Sequence, residues 1–333
     1  MRFGVQILVV ATFVAGGFVA PADETDQFMT WGVNLRDSAE QTNTHINNLL
    51  REAIDYRNGA LEPPCDCQSL AFDAIDYMFK GRLTSRIMPV LESDESIDAY
   101  PPRSISRTRY QRSSIYRGLS FPFILPMGRT VRIGDVYFGE DKWGHFFGMG
   151  KRYYRHYLWY RENGMSEDDA IDMTINWGVF TENTLVGMVV DGIFSHADLE
   201  ANYQGFELAR HMCEGEAPYI GHGVDGWELV REIDLRDYIT PYWDESYNPS
   251  HYWGRRRILV MPILRDEYAS KAQSPEVIAR FRAYQNYPPS RSVEYIRHYF
   301  VEREQFPQRD QTFTALGLGP DYPSAILAAM PVP

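Results

Sequence analysis

DKWGHFFGMGKRYYRHYLWY (Asp141–Tyr160), SEDDAIDMTINWGVFTENTLVGMVV (Ser166–Val190) and SHADLEANYQGFELARHMC (Ser195–Cys213) follow one another almost without a break. Each reads as a helix. The second opens on Ser166-Glu167-Asp168-Asp169, a Ser followed three residues later by an acid, which is a helix-start signature. Its apolar stripe runs Ile171, Ile175, Val179, then Val186 and Val189. Glu182 occupies the position that continues this stripe, and a carboxylate on a core face is costly unless it has partners. The third helix places Asp198 and Asn202 four residues apart, on one face, with Gly205 continuing it. The first supplies Asp141 and His145 at the same spacing. Gly144, Gly148 and Gly150 weaken that helix and let a neighbour approach it closely.

Each polar group has a bland reading alone. Asp141 and Asp198 sit where capping acids stabilise helix starts, and a lone His on an apolar face is usually a satisfied core residue. Three successive helices carrying such groups on faces that should be apolar point elsewhere. Packed together, they predict a buried cluster of Asp141, His145, Glu182, Asp198 and Asn202. Buried acids of this kind have displaced pKa values that catalysis uses.

Working outward, Thr44 is expected to cap a helix to about Arg57, and Ser69 to Phe79 form another. Residues 23–43 read as an irregular lead-in and 91–104 as a loop. Arg103, Arg107, Arg109, Arg112 and Arg117, with Tyr110 and Tyr116, form a basic run that reads as a solvated face or a contact for anionic polymer or lipid. Val131, Ile133 and Val136-Tyr137-Phe138 predict a short strand. Helices are expected at 275–286 and 291–303, and the Pro/Gly-rich tail from Leu316 at the surface. The fold class is mainly α: a helical bundle core with a few short strands and long irregular connections. No repeat or low-complexity tract divides the chain. Residues 23–333 read as one mainly helical domain, with its motif core at 141–213 and an irregular part at 214–333.

Residues 1–22 read as a secretory signal: Arg2, an apolar run from Phe3 to Ala20, and the small-x-small Ala20-Pro21-Ala22. Cutting after Ala22 is preferred, because cutting after Ala20 would leave Pro21 next to the break. An uncleaved anchor is the alternative. The leader holds one Arg and no acid, so its removal takes the formal charge from −12 to −13. Such an acidic chain is unsuited to nucleic acid, and no later stretch reaches the ~20 apolar residues of a membrane span. The expected location is the periplasm or outer envelope. There one disulfide is expected, Cys213 with Cys65 or Cys67, since Cys65 and Cys67 are too close to pair with each other. A metal site at Cys65-x-Cys67 lacks a second matching pair. The abundant aromatics (22 Tyr, 18 Phe, 7 Trp) read as core and cleft lining, or as a sugar groove.

The order Asp141-Lys142-x-x-His145-Phe146, then Glu182, then Ser195-x-x-Asp198 with Asn202 and Gly205, resembles the pattern of VanZ-like bacterial membrane proteins and of small periplasmic lipoproteins sharing D-K-x-x-H-F. It covers residues 141–205. Leu185 stands where VanZ-like proteins have Gln, and Asp191-Gly192 stand near their usual Arg. The resemblance implies a shared helical core and an envelope location, and no substrate.

Two chemistries fit the cluster. A hydrolase of an envelope component, glycan or lipid, would use Glu182 as general acid or base, with His145 and Asp198 as its catalytic partners. Asn202, Asp141 and Lys142 would bind substrate, and Asp198 would be the second carboxylate of a glycosidase version. A divalent-metal protein would use Asp141, His145, Glu182 and Asp198 as candidate ligands. H-E-x-x-H and G-x-S-x-G are absent, which argues against zincins and α/β-hydrolases. The third reading is a non-catalytic envelope structural or binding protein whose polar network fixes helix register.

Overall fold

A computed structural model describes residues 24–81, 84–118, 127–186, 192–302 and 309–317. The leader, the end of the second motif helix and the tail from residue 318 lie outside these, as do the side chains of Val186 and Val189. The architecture is mainly α, with eleven α-helices among the described residues and three two-stranded antiparallel ribbons. One hydrophobic cluster extends from Phe28 to Leu316.

Helix α1 (Ala39–Asn58) starts five residues before the expected Thr44. Asp37 Oδ1 accepts from the Ala39 N–H, which satisfies the first turn, and the Thr44 hydroxyl turns back onto the Glu40 carbonyl. Helices α2 (Cys67–Met78), α3 (Ile87–Ser93) and α4 (Arg107–Ser113) follow. Helix α3 overturns the loop assignment in part, because 91–93 are helical, and α4 forms the middle of the basic run. The predicted strand is a hairpin, β1 (Thr130–Ile133) with β2 (Val136–Gly139), paired from Thr130↔Gly139 to Ile133↔Val136.

The motif core comprises α5 (Gly150–Glu162), α6 (Glu167–Thr181) and α7 (His196–His211). A π-wound segment, Gly144–Met149, precedes α5, and another, Glu182–Val186, continues α6. Ser166 caps α6 by accepting from Asp169 N–H, as the sequence predicts. Helix α7 is buried almost all round, so its polar residues require internal partners. It touches α5 at Gly150 and Gly205, where the backbones meet: a Cβ on Gly205 would lie 1.8 Å from the Phe146 carbonyl oxygen.

Beyond Cys213 come the ribbon β4 (Ile220–His222) with β5 (Trp227–Leu229), and β6 (His251–Tyr252) pairing with β3 (Ile193–Phe194). Helices α8 (Gly254–Ile263), α9 (Pro275–Tyr284), α10 (Arg291–Glu302) and α11 (Arg309–Ala315) follow; α9 and α10 match the helices expected at 275–286 and 291–303, and α8 adds helix where none was expected. The aromatics fill the core: Trp243, Tyr110, Tyr116, Tyr153 and Tyr154 are among the largest fully buried side chains. Arg103, Arg107 and Arg117 of the basic run pair with Glu140, Glu92 and Glu267, while Arg109 and Arg112 are exposed.

Cys67 and Cys213 form the disulfide across 146 residues, and Cys65 is an exposed free thiol. The bond removes Cys67 from any Cys-x-Cys metal site. Closing so long a loop restrains the unfolded chain. Cys213→Ser is therefore expected to lower unfolding free energy by about 2–4 kcal/mol in denaturant titration, and Cys65→Ser to leave it unchanged. Gly205→Ala is expected to cost roughly 3 kcal/mol, because backbone atoms cannot step aside for the new methyl.

Candidate functional site

The hairpin delivers Asp141 and Lys142 into the middle of the bundle. Lys142 is fully buried, at 0% exposure. Its ammonium contacts a carboxylate oxygen of Asp141, sits 2.7 Å from Asp198 Oδ1 and donates to Glu245 Oε1 at 2.6 Å. Thr25 donates its hydroxyl to the other oxygen of Asp141, and the Gln27 side-chain oxygen accepts from the Glu245 backbone N–H. The expected Asp141 and Asp198 are thus brought together, with Thr25 and Gln27 added from the lead-in and Glu245 from the segment after β5.

His145 lies beside it. Its Nε2 is 3.3 Å from Asp198 Oδ2 and its Nδ1 3.1 Å from Asn202 Oδ1. Asn202 in turn donates to the Tyr153 hydroxyl at 3.4 Å. The start of α7 shows why Asp198 is available. Ser195 Oγ accepts from Asp198 N–H at 3.1 Å, which is the expected cap. In a capping box the acid would return to the Ser N–H. Here Glu182 Oε1 takes that N–H at 3.0 Å, which frees the Asp198 carboxylate for Lys142 and His145. Ser195 Oγ itself donates to Glu245 Oε1 at 3.1 Å.

Five buried carboxylates, Glu24, Asp141, Glu182, Asp198 and Glu245, interact with one ammonium and one imidazole. Their environments separate them. Burial would depress Lys142, but Asp141, Asp198, Glu245 and Glu24 outweigh it and hold the ammonium charged. Burial also opposes Asp198, yet His145 and Lys142 keep its pKa below the ordinary value. Burial and then Asp198 raise Glu182 well above the usual range, against the pull of the Ser195 N–H and Lys142. Glu24 is raised likewise, by burial and then by Glu245. Glu245 is pushed up to about 7, again chiefly by burial.

Both helices that bear the central residues depart from α geometry at the cluster: His145 lies within one π-wound segment, and Glu182 begins the other. Such π-turns are frequent at functional sites. A third, Leu264–Tyr268, has a local cause in Pro262 just before it. Thr181 and Thr184 donate hydroxyls back to the Gly178 and Phe180 carbonyls, competing with the regular ladder near Glu182.

Asp141, Asp198 and Glu245 form a buried group that can hold a metal ion. Glu245 thereby replaces His145 and Glu182 in the ligand set read from sequence. The Lys142 ammonium lies among these same oxygens, so a cation bound there would have to displace it. Lys142 and Asp141, expected to bind substrate, have side chains 0% and 1% exposed, whereas His145 and Asp198 reach 6% and 8%. All four are buried, as are Glu182 and Asn202. Glu24, Thr25, Gln27 and Glu245 were not visible as site residues: the first three precede any periodic segment, and Glu245 sits in an Asp-Glu-Ser turn between Trp243 and Tyr247.

Comparison with protein-family models, with curated proteins and with solved structures gives no significant match.

The raised acids set the pH response. Glu245 at about 7 against 4.5, and Asp26 at about 7 against 3.8, hold protons that the unfolded chain has released. Their stabilising effect is complete below the unfolded values and is lost as pH rises to about 7, at about 1.4 kcal/mol per pH unit for each group. Glu182 and Glu24 act in the same direction. Asp198, being lowered, opposes them below its ordinary 3.8. His156 and His251, lowered to about 4 chiefly by burial, act the opposite way up to about pH 6.5, so melting temperature is expected to fall from pH 6.5 to pH 8, and Glu245→Gln to flatten that slope; a rising profile there in the wild type would contradict the assignment.

Proposed function

We propose that this is an exported cell-envelope protein that hydrolyses an envelope component, glycan or lipid, with the Lys142-centred cluster as its acid–base centre. What supports this reading is the opposite displacement of two carboxylates in one network: burial and Asp198 raise Glu182, while His145 and Lys142 lower Asp198. Environments that push two titratable groups apart are the mark of an acid paired with a base or charge stabiliser. Glu182 would give its proton to the leaving group. Asp198, oriented by His145, would stabilise developing positive charge or direct a water. Asn202 would position substrate, while Lys142 and Asp141 hold the carboxylates in place.

The excess of acid over base supports a functional role, since a register-fixing ion pair needs one carboxylate, and each further buried charge costs stability. Export is supported by the leader-like first 22 residues and by the Cys67–Cys213 disulfide, which fits an oxidising compartment. No described helix is long and apolar enough to cross a membrane.

A non-catalytic binding or structural role is the second reading. It is favoured by His145, both of whose ring nitrogens already face oxygens, which leaves neither free to take a proton from substrate.

Activity on purified peptidoglycan and on phospholipid vesicles decides between them. Glu182→Gln keeps the neutral shape of the protonated acid. It is expected to retain the melting temperature and to lose roughly 100-fold or more in turnover. Full activity in this variant, or no turnover of either material by the wild type, overturns the hydrolase reading; binding without turnover then establishes the second.

A further inference from the structure

Away from the cluster, several arginines have acidic partners, among them Arg36 with Asp98, Arg51 with Glu232, Arg236 with Glu40, Arg265 with Asp266 and Arg291 with Asp168. Helix α8 combines unpaired arginines with exposed apolar side chains. Arg255 and Arg257 are exposed and carry no ion pair among the described residues, in a chain of net charge −12. Between them on the helix surface lies Ile258, 73% exposed, and at the helix start stands Trp253, 56% exposed. At 100° per residue the outward face of α8 reads Arg255, Ile258 and Pro262, with Arg257 at its flank. Val260 and Arg256 face inward and are buried. The pattern is the reverse of an ordinary surface helix: an aliphatic and an aromatic side chain point to solvent, framed by unneutralised guanidinium groups.

We propose that this face of α8 docks on an anionic phospholipid bilayer. The fit is chemical. Guanidinium forks match phosphate oxygens in geometry and charge. Indole prefers the headgroup level, where its ring is apolar and its N–H remains wet. A single central aliphatic residue enters the acyl boundary while the flanking cations stay at the phosphates, which is how interfacial helices bind. A charged lipid surface supplies most of the attraction electrostatically. The surface is separate from the Lys142 cluster and does not depend on the hydrolase reading.

Co-sedimentation of the purified protein with vesicles tests this. Wild type is expected to sediment with vesicles of phosphatidylglycerol and phosphatidylcholine, not with phosphatidylcholine alone, and to be released at about 0.5 M salt. Arg255→Glu with Arg257→Glu is expected to weaken partitioning roughly tenfold or more, and Ile258→Asp and Trp253→Ser to weaken it as well. These positions are exposed, and unchanged melting temperatures will show that the variants fold. Glu182→Gln should sediment as wild type does, which separates this surface from the proposed chemistry. Equal sedimentation with both vesicle types, no sedimentation at all, or retention by the charge-reversed variant overturns the proposal. Binding that polyphosphate displaces and Ile258→Asp leaves intact identifies a soluble polyanion instead, and also overturns it.

Discussion

A charged ammonium with no access to water must be surrounded by acceptors or it will not remain charged. Lys142 meets that requirement with Asp141, Asp198 and Glu245, and much of the rest of the molecule follows from it. The hairpin β1–β2 has to end where Asp141 and Lys142 enter the core. The start of α7 must face them, and the segment after β5 must return to bring Glu245. Even the lead-in is recruited, since Thr25 and Gln27 satisfy groups that the ammonium leaves over. Removing the ammonium alone would leave several carboxylates facing one another in a dry interior, a much larger penalty than losing one ion pair.

That arrangement also explains why the two motif helices are not regular. A regular α-helix fixes where each side chain points, and the cluster needs Glu182 at the backbone of Ser195 and His145 between Asp198 and Asn202. Widening one turn of each helix re-aims those residues without ending the helix. Glu182 then takes over a capping bond that a residue of α7 itself would ordinarily make. The cap of one helix and the acid of another become one interaction, which couples the position of α6 to the charge state of the site.

Much of this could be read from residue order. Glu182 interrupts an apolar stripe, and Asp198 with Asn202 repeat the anomaly, so periodicity exposed them as misplaced polar groups. The three helices, the extended character of residues 131–138 though not their turn at Gly134, and the bonding of Cys213 were legible for similar reasons. Glu245 was not, because a polar residue in a turn rich in polar residues carries no anomaly. Glu24 and Gln27 were hidden for the same reason. Lys142 was legible as part of a pattern but not as its centre, since nothing in the sequence says that a lysine next to an aspartate is buried. The early start of α1 depends on Asp37 acting as a cap from outside the periodic segment. The helical character of α3 and α8 was masked by short length and by Pro262, respectively.

The bonds that complete the cluster join residues remote along the chain: Thr25 with Asp141 are 116 apart, and Gln27 with Glu245 are 218 apart. Contacts of such separation close large loops and form late. A chain emerging from its N-terminus would therefore carry Glu24, Thr25 and Gln27 unpartnered until most of the protein had followed. The motif of residues 141–205, although it looks self-contained, holds an ammonium that lacks one of its three acids until residue 245 has been made. Tertiary assembly, more than the motif, determines when the interior becomes electrically balanced.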